Sequence, residues 1–417
     1  MLKHFIPKNM SLHLVISIIV FLFAPLSLIF SGGYNYSPAL LLLIALPFLF
    51  IPSSYRLNKE TLWLISALLL YFFVYLSFML VYHEDISQLD RPSRAIMAVA
   101  ILILLLRYPP KSSCLLISFA LGAIVSGIFA GYQKFFLHMP RALSNNMPIQ
   151  AGDICMAFGT ISLVALFYHL KLKRYDWSLF YLLATFLGVF GSVASQSRGG
   201  WLLFPFILIY LIWTNRAFFS RRLKIVAGVV IIIIFSIMLT PKFGIQSSIN
   251  KTIHQVDMIK DGQYLSQDSS IGTRLLLWSS AWRSFAHKPL TGWSQTGLCQ
   301  DKTAQYNQGE LSYYIYRNWA CNMHAHSEYF DSIQKRGIIG FLQVMAVFLI
   351  PLIIFIRHSR KMYGVDLVVA QAGAMIVISS MGFGFSQLFF GHNSGSIYYF
   401  FTLVLFYSAL SDTKDSK

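Results

Sequence analysis

Two histidines one residue apart, followed at once by a hydroxyl and a carboxyl, form the most reactive stretch of this chain: His324-Ala325-His326-Ser327-Glu328. Imidazole has an unperturbed pKa near 6.5, so it accepts a proton at neutral pH without help. A spacing of two does not put both rings on one helical face. It suits an extended lead-in to a helix, with one ring facing a site. Nine residues after His326-Ser327 comes Gly337-Ile338-Ile339-Gly340, which opens an apolar run. A proton acceptor at such a boundary suggests chemistry on a lipid-linked substrate. Two arginines could supply the charge that a base lacks. Arg198, in Ser195-Gln196-Ser197-Arg198-Gly199-Gly200, joins two apolar stretches too closely to be in a free loop. A cation at that depth is costly and generally functional; the plain alternative is a side chain snorkelling to headgroups. A guanidinium presents a planar fork of donors that matches a phosphate. Arg274 follows the helix-start residues Ser269-Ser270-Ile271-Gly272-Thr273. A cation there opposes the helix dipole, which points to an anionic partner; a solvated surface charge is the alternative.

Other candidates carry less. The run His83-Glu84-Asp85-Ile86-Ser87-Gln88-Leu89-Asp90-Arg91-Pro92-Ser93-Arg94 is dense in charge. Glu84 and Asp85 could form a carboxylate base or a divalent-metal site, but a solvated turn with local ion pairs is the preferred reading. Arg91 and Arg94 would add positive potential for an anionic lipid. His392-Asn393, beside Gly391 and Gly395, could line a substrate opening. The His324/His326 pair lacks further ligands at metal-like spacing, so no metal is expected. There is no phosphate-binding G-x-x-x-x-G-K-S/T loop and no G-x-S-x-G nucleophile elbow.

The elements that must position these residues are set by composition. Of 417 residues, 56% are hydrophobic and 12% charged, against about 25% charged in soluble domains. The chain is therefore expected to be an all-α polytopic membrane protein. A net charge of +17 would suggest nucleic acid in a soluble protein; here the basic residues fall in short connections and report topology instead. About twelve apolar spans approach the ~20 residues a bilayer needs: 11–31, 38–55, 61–82, 94–108, 114–134, 154–170, 177–195, 201–215, 225–240, 337–356, 367–386 and 397–411. The first reads as a retained span rather than a cleaved leader. Eighteen of the 33 Lys and Arg fall on the side of the termini. Five lie in short connections opposite (Arg91, Arg94, Lys134, Arg141, Arg198), and the rest fall in one long loop. Short connections decide orientation, so both termini should be cytoplasmic. The segment of about 95 residues from Pro241 to Arg336 then faces outward. This gives three parts: spans over 1–240, the large loop over 241–336, and spans over 337–417.

Within the loop, Leu275, Trp278, Trp282 and Phe285 recur at helical spacing before Pro289 and Gly292. They predict an amphipathic helix, lying on the membrane or packed on its neighbours. Cys299 and Cys321 share the loop and could pair in an oxidising compartment. Cys114 and Cys155 read as packing residues.

Taken together, these residues resemble the O-antigen ligase family. The family pattern of His followed by Asn, Ser or Gln, nine residues and Gly-x-x-Gly is met by His326, Ser327, Gly337 and Gly340. Its two essential arginines look like Arg198 and Arg274. Some members continue after the second glycine with Thr-x-His; here those places hold Phe341 and Gln343, so base chemistry falls on His326 alone. The resemblance implies a GT-C-like architecture of about twelve spans with one large periplasmic loop. The implied host is the inner membrane of a Gram-negative bacterium, with the active site on the periplasmic face. The implied reaction is metal-independent, inverting transfer of an O-antigen glycan from undecaprenyl diphosphate to the lipid A–core, without a cofactor. His326, Arg198 and Arg274 would be catalytic. His324, Ser327, Gly337, Gly340, Arg91 and Arg94 would contact substrate. The lipid-linked donor, the lipid A–core and membrane lipids would be its partners. An O-antigen polymerase is the nearest alternative, disfavoured because polymerases generally carry two substantial loops. A lipid-linked oligosaccharide transporter would place polar groups at mid-membrane, whereas here they gather at one face.

Overall fold

A computed structural model describes residues 11–50, 57–201, 204–214, 250, 253–254, 270–321 and 324–411. These form helices joined by short connections. In chain order they are α1 (Leu12–Ser27), α2 (Tyr36–Phe48), α3 (Lys59–Tyr82), α4 (Ser93–Arg107), α5 (Ser112–Phe135), α6 (Pro148–Lys171), α7 (Tyr175–Ala194), α8 (Arg198–Trp201), α9 (Phe204–Thr214), α10 (Ser270–His287), α11 (Ser294–Asn307), α12 (Glu328–Ser359), α13 (Gly364–Ser386) and α14 (Asn393–Ser411). Among the described residues six are long and apolar enough to cross a membrane: α3, α5, α6, α7, α12 and α13. The remaining expected spans coincide with shorter apolar helices, with α4 or with α14, except 225–240, which lies outside the described residues.

Helix starts follow local chemistry. Ser11 and Asn58 cap α1 and α3 with side-chain oxygens that accept from Leu14 N and Thr61 N, satisfying amides that have no intrahelical partner. Pro148 opens α6 at a position where a missing N–H costs nothing. That start is six residues earlier than the apolar run suggests, and it draws Gln150 and Asp153 into the helix.

The helices form two groups. One joins α1, α5, α6 and α7; the other joins α3, α4, α12, α13 and α14; α6 and α13 meet between them. Gly159 and Gly188 let α6 and α7 approach so closely that a Cβ on Gly188 would strike the Gly159 backbone, and one on Gly159 would crowd α7 at 3.2–3.3 Å. Small residues of this kind drive helix association where lipid offers no hydrophobic incentive. A continuous apolar core runs through both groups, including Phe23, Phe119, Phe158, Phe348, Tyr399 and Phe400.

Side-chain bonds between connections sort the bundle into two ends. At one end His13 meets Pro109, Ser112 donates to Asp366, and His358 Nε2 lies 2.9 Å from Glu60. At the other, Asn146 donates to Leu28 O and Phe30 O, Arg141 Nε donates to Ser195 O, and Ser197 donates to Asp153. Each contact joins positions that the charge pattern assigns to one side. The second end carries α10 and α11 and every candidate site residue.

Candidate functional site

The segment 324–327 is tied down on both sides before α12 begins. Ala325 N–H donates to Asp331 Oδ1 at 3.1 Å, and Ala325 O accepts from Trp278 Nε1 at 3.0 Å. Trp278 in turn stacks on Phe330 at 5.1 Å. Ser327 is fully buried and donates to Gly384 O. Glu328 Oε2 accepts from Phe390 N at 3.0 Å, anchoring the α13–α14 connection against the same segment. Held this way, His326 adopts φ 49°, the left-handed region. A residue other than glycine held there costs roughly 1–3 kcal/mol and persists where the surroundings impose it, which is common at functional sites.

His326 does not act beside His324 alone. Its backbone N–H donates to His324 Nδ1 at 3.1 Å, and its ring Nδ1 meets Gln387 Oε1 at 3.2 Å. Gln387 Nε2 then donates to His392 Nε2 at 3.1 Å. The His324 ring packs edge-on to both His326 (4.3 Å) and His392 (6.1 Å). Burial is the main force lowering the pKa of all three imidazoles. It takes His324 and His392 to about 4 and moves His326 below its ordinary value. Arg274 adds to the lowering at His326, while the Gln387 bond and Asp331 oppose it. Each ring is thereby shifted toward its neutral form, the form that accepts a proton.

The arginines converge on the same end. The charge of Arg274 acts on both His326 and Asp153. Arg274 stands one turn inside α10, which begins at Ser270, so the dipole argument from sequence, which fades after the first turn, loses its force. The backbone of Arg198 is described and its side chain is not. That backbone is gripped from two sides: Ser197 donates to Asp153 Oδ1 at 2.5 Å, and a Cβ on Gly199 would collide with Ser386 Oγ of α13. Arg91 acts electrostatically on His392. Arg94 pairs with Asp90 at 2.8 Å. It also lines a cavity of about 240 Å³ that is otherwise walled mainly by apolar side chains such as Leu42, Met97, Ile397 and Phe400.

Several expectations are refined by this arrangement. Gly337 and Gly340 contact the chain itself. Gly337 breaks α12 at φ 58°, and a Cβ there would meet Leu290 and Pro289 backbone at 2.5–2.6 Å. Ile338 N donates to Pro289 O at 2.8 Å, and Trp293 N donates to Gln334 O at 3.0 Å. Gly337 thus seats the turn that links α10 to α11, while a Cβ on Gly340 would meet Ser332 and Arg336 within α12 itself. Gln343, at the place where some family members have a second histidine, donates to Tyr71 O. Glu84 is partly exposed, and its Oε1 accepts from Gln295 N at 2.5 Å, at the start of α11. Asp85 does sit in an exposed turn and accepts from Ser87 N. Cys299 and Cys321 form a disulfide, clipping α11 to the strand of chain that leads into His324. On α10, Trp278 packs inward while Leu275 and Trp282 are exposed, so the helix both packs on its neighbours and presents an apolar edge. Among the described residues no group of three or more His, Cys, Asp or Glu is arranged to hold a metal ion.

Sequence reasoning missed Gln387, Gln150 and Asp153. Gln150 and Asp153 are fully buried, and Asp153 is the buried carboxylate on which the Arg198 segment rests. The early Pro148 helix start was the available signal for them.

Fold and site define a polytopic helical membrane protein with imidazoles and cationic side chains gathered at one end of its bundle. Residues 183–345 match the family model for O-antigen ligase, a span containing Arg198, Arg274, His326, Gly337 and Gly340. Over that region the chain is similar to the O-antigen ligase family, which supports a membrane glycosyl-transfer role. It is also similar to a Haemophilus influenzae protein described as uncharacterized. The two are 28% identical over 395 residues, which covers 94% of this chain and 97% of the other.

Proposed function

We propose that this protein is an O-antigen ligase. In this reading it transfers a glycan from undecaprenyl diphosphate to a sugar hydroxyl of the lipid A–core on the periplasmic face of the inner membrane. His326 removes the acceptor proton as the hydroxyl oxygen bonds to the anomeric carbon. The bond from that carbon to the diphosphate oxygen breaks, and the carbon inverts. Arg274 and Arg198 bind the diphosphate and stabilise the charge that builds on it. Two permanent cations then serve in place of a divalent metal. General base catalysis contributes roughly 10²–10⁴-fold, and preorganised charge is generally the larger share. His324, Ser327, Arg91 and Arg94 border the substrates, and the apolar cavity beside Arg94 is suited to part of a lipid chain.

The observation that carries this reading is the placement of the half-buried His326 imidazole, held by Gln387, within the field of Arg274, at the bundle end that bears the soluble helices. The Cys299–Cys321 disulfide supports an oxidising compartment on that side. The test is transfer between purified lipid-diphosphate glycan and purified lipid A–core, with and without chelator. Wild-type protein should transfer in both conditions, and His326→Ala should lose about 10²-fold or more while remaining folded in the membrane. Near-normal transfer by His326→Ala would remove His326 as the base. Activity lost in chelator and restored by Mg²⁺ or Mn²⁺ would remove the arginine-only account.

A further inference from the structure

We propose that Gln387 is a positioning residue: it fixes the tautomer and orientation of His326 and is itself fixed by His392. This rests on the reading of His326 as the base. The argument starts from what an amide can do. Its oxygen only accepts hydrogen bonds and its nitrogen only donates. With Oε1 at 3.2 Å from His326 Nδ1, that ring nitrogen must carry the proton, and the basic lone pair belongs to Nε2. With Gln387 Nε2 at 3.1 Å from His392 Nε2, the His392 nitrogen must accept. An inverted amide would face His392 with an oxygen and His326 with a donor. In the observed orientation the amide therefore ties the two rings together: an accepting Nε2 in His392 goes with a protonated Nδ1, and so a basic Nε2, in His326.

The surroundings make this relay rigid. Gln387 is fully buried and directly follows α13, whose last residue Ser386 abuts Gly199 of the Arg198 segment. Its backbone N–H donates to Phe383 O. The far side of the connection is anchored by Glu328, next but one to His326. The charged and titratable groups around His326 are Arg274 from α10, His324 from its own segment, Asp331 from α12 and His392 from the α13–α14 connection. Arg91 stands beyond His392. A base whose other nitrogen is not held can flip or present the wrong nitrogen, and which nitrogen is basic follows from the bond the other one makes.

The test pairs nitrogen spectroscopy with kinetics. Protein labelled with ¹⁵N-histidine in bilayers gives tautomer-specific signals, and His326 is assigned by the signal that His326→Ala removes. Wild type should show protonated Nδ1 at His326. Gln387→Met, close in shape but without polar groups, should lose that pattern. It should also slow turnover by about 10- to 100-fold, less than removal of the base itself, with KM changed by less than about twofold. Gln387→Glu should restore the Nδ1-protonated signal. A carboxylate facing the ring raises its pKa, so the acid limb of the pH–rate profile should move up by about one unit. A Gln387→Met protein with unchanged signal and unchanged kcat would overturn the proposal. If Gln387→Met does not accumulate in membranes, an unmoved acid limb in Gln387→Glu overturns it equally. The nitrogen signals do not require turnover. A wild-type protein that shows the pattern but transfers no glycan would overturn the ligase reading instead.

Discussion

At the residue scale, the proposed base His326 has a ring shifted toward its neutral form, an Nδ1 paired with Gln387 and a held backbone. Burial keeps its pKa below the ordinary 6.5 of imidazole, so protonation and loss of the base require more acid than a free ring would. The sign is clear. Transfer should be constant near pH 7 and decline only as pH falls through a midpoint below 6.5. Measuring kcat/KM between about pH 5 and 8 checks this, and a midpoint above 7 would mean that another group limits the acid side. Asp153 is the other residue of note. It holds Ser197 on one oxygen and feels the charge of Arg274, so it links the two segments that carry the arginines.

At the scale of elements, the soluble region is braced against the bundle at three points. Glu84 accepts from the start of α11, Trp278 reaches Ala325, and the Pro289 turn sits on Gly337. Between α10 and α11 lies a buried polar network. Lys302 donates to Ser280 and Ser284, while Asp301 accepts from Ser284 and Gln305 and meets His287. Burial takes Lys302 down to about 7, so its charge depends on these partners. Two predictions belong here. Gly337→Ala must place a Cβ 2.5 Å from Leu290 backbone at a positive φ. It should cost roughly 1–3 kcal/mol, visible as a lower thermal midpoint together with slower transfer. Cys299→Ser with Cys321→Ser opens a loop with a sequence separation of 22, which should cost about 3 kcal/mol through chain entropy. Thermal unfolding with and without reductant reads it, and a midpoint insensitive to both would show that the clip contributes nothing to stability.

At the scale of the whole molecule, the two ends of the bundle divide the labour. One end pairs termini-side residues such as Glu60 with His358 and Ser112 with Asp366; the other assembles imidazoles, arginines and soluble helices. Single cysteines test this division once Cys114 and Cys155 are replaced. Ser87→Cys and Gln308→Cys should react with an impermeant thiol reagent in intact spheroplasts, and Lys173→Cys and Lys361→Cys only after permeabilisation. All four positions are exposed in the fold. Labelling of Lys361→Cys without permeabilisation would reverse the assigned orientation.

The sequence by itself determined the class of the molecule and put forward the candidate for its base. Apolar runs of span length have few alternatives to a helix in lipid, because backbone groups must be satisfied internally. The His326-to-Gly337 spacing is likewise a property of the chain alone. It also supplied the possible cysteine pair, which only proximity could convert into a bond. The tertiary structure decided what surrounds the base. Gln387 is 61 residues from His326 and Asp153 is 44 from Ser197, and no local periodicity links positions so far apart. The helices α6 and α13 bring them together because small residues and buried polar contacts, rather than a readable apolar pattern, set how helices meet in a membrane. Gly337 needed the same information: the family resemblance implied a substrate contact, and its packing places it against the Pro289 turn.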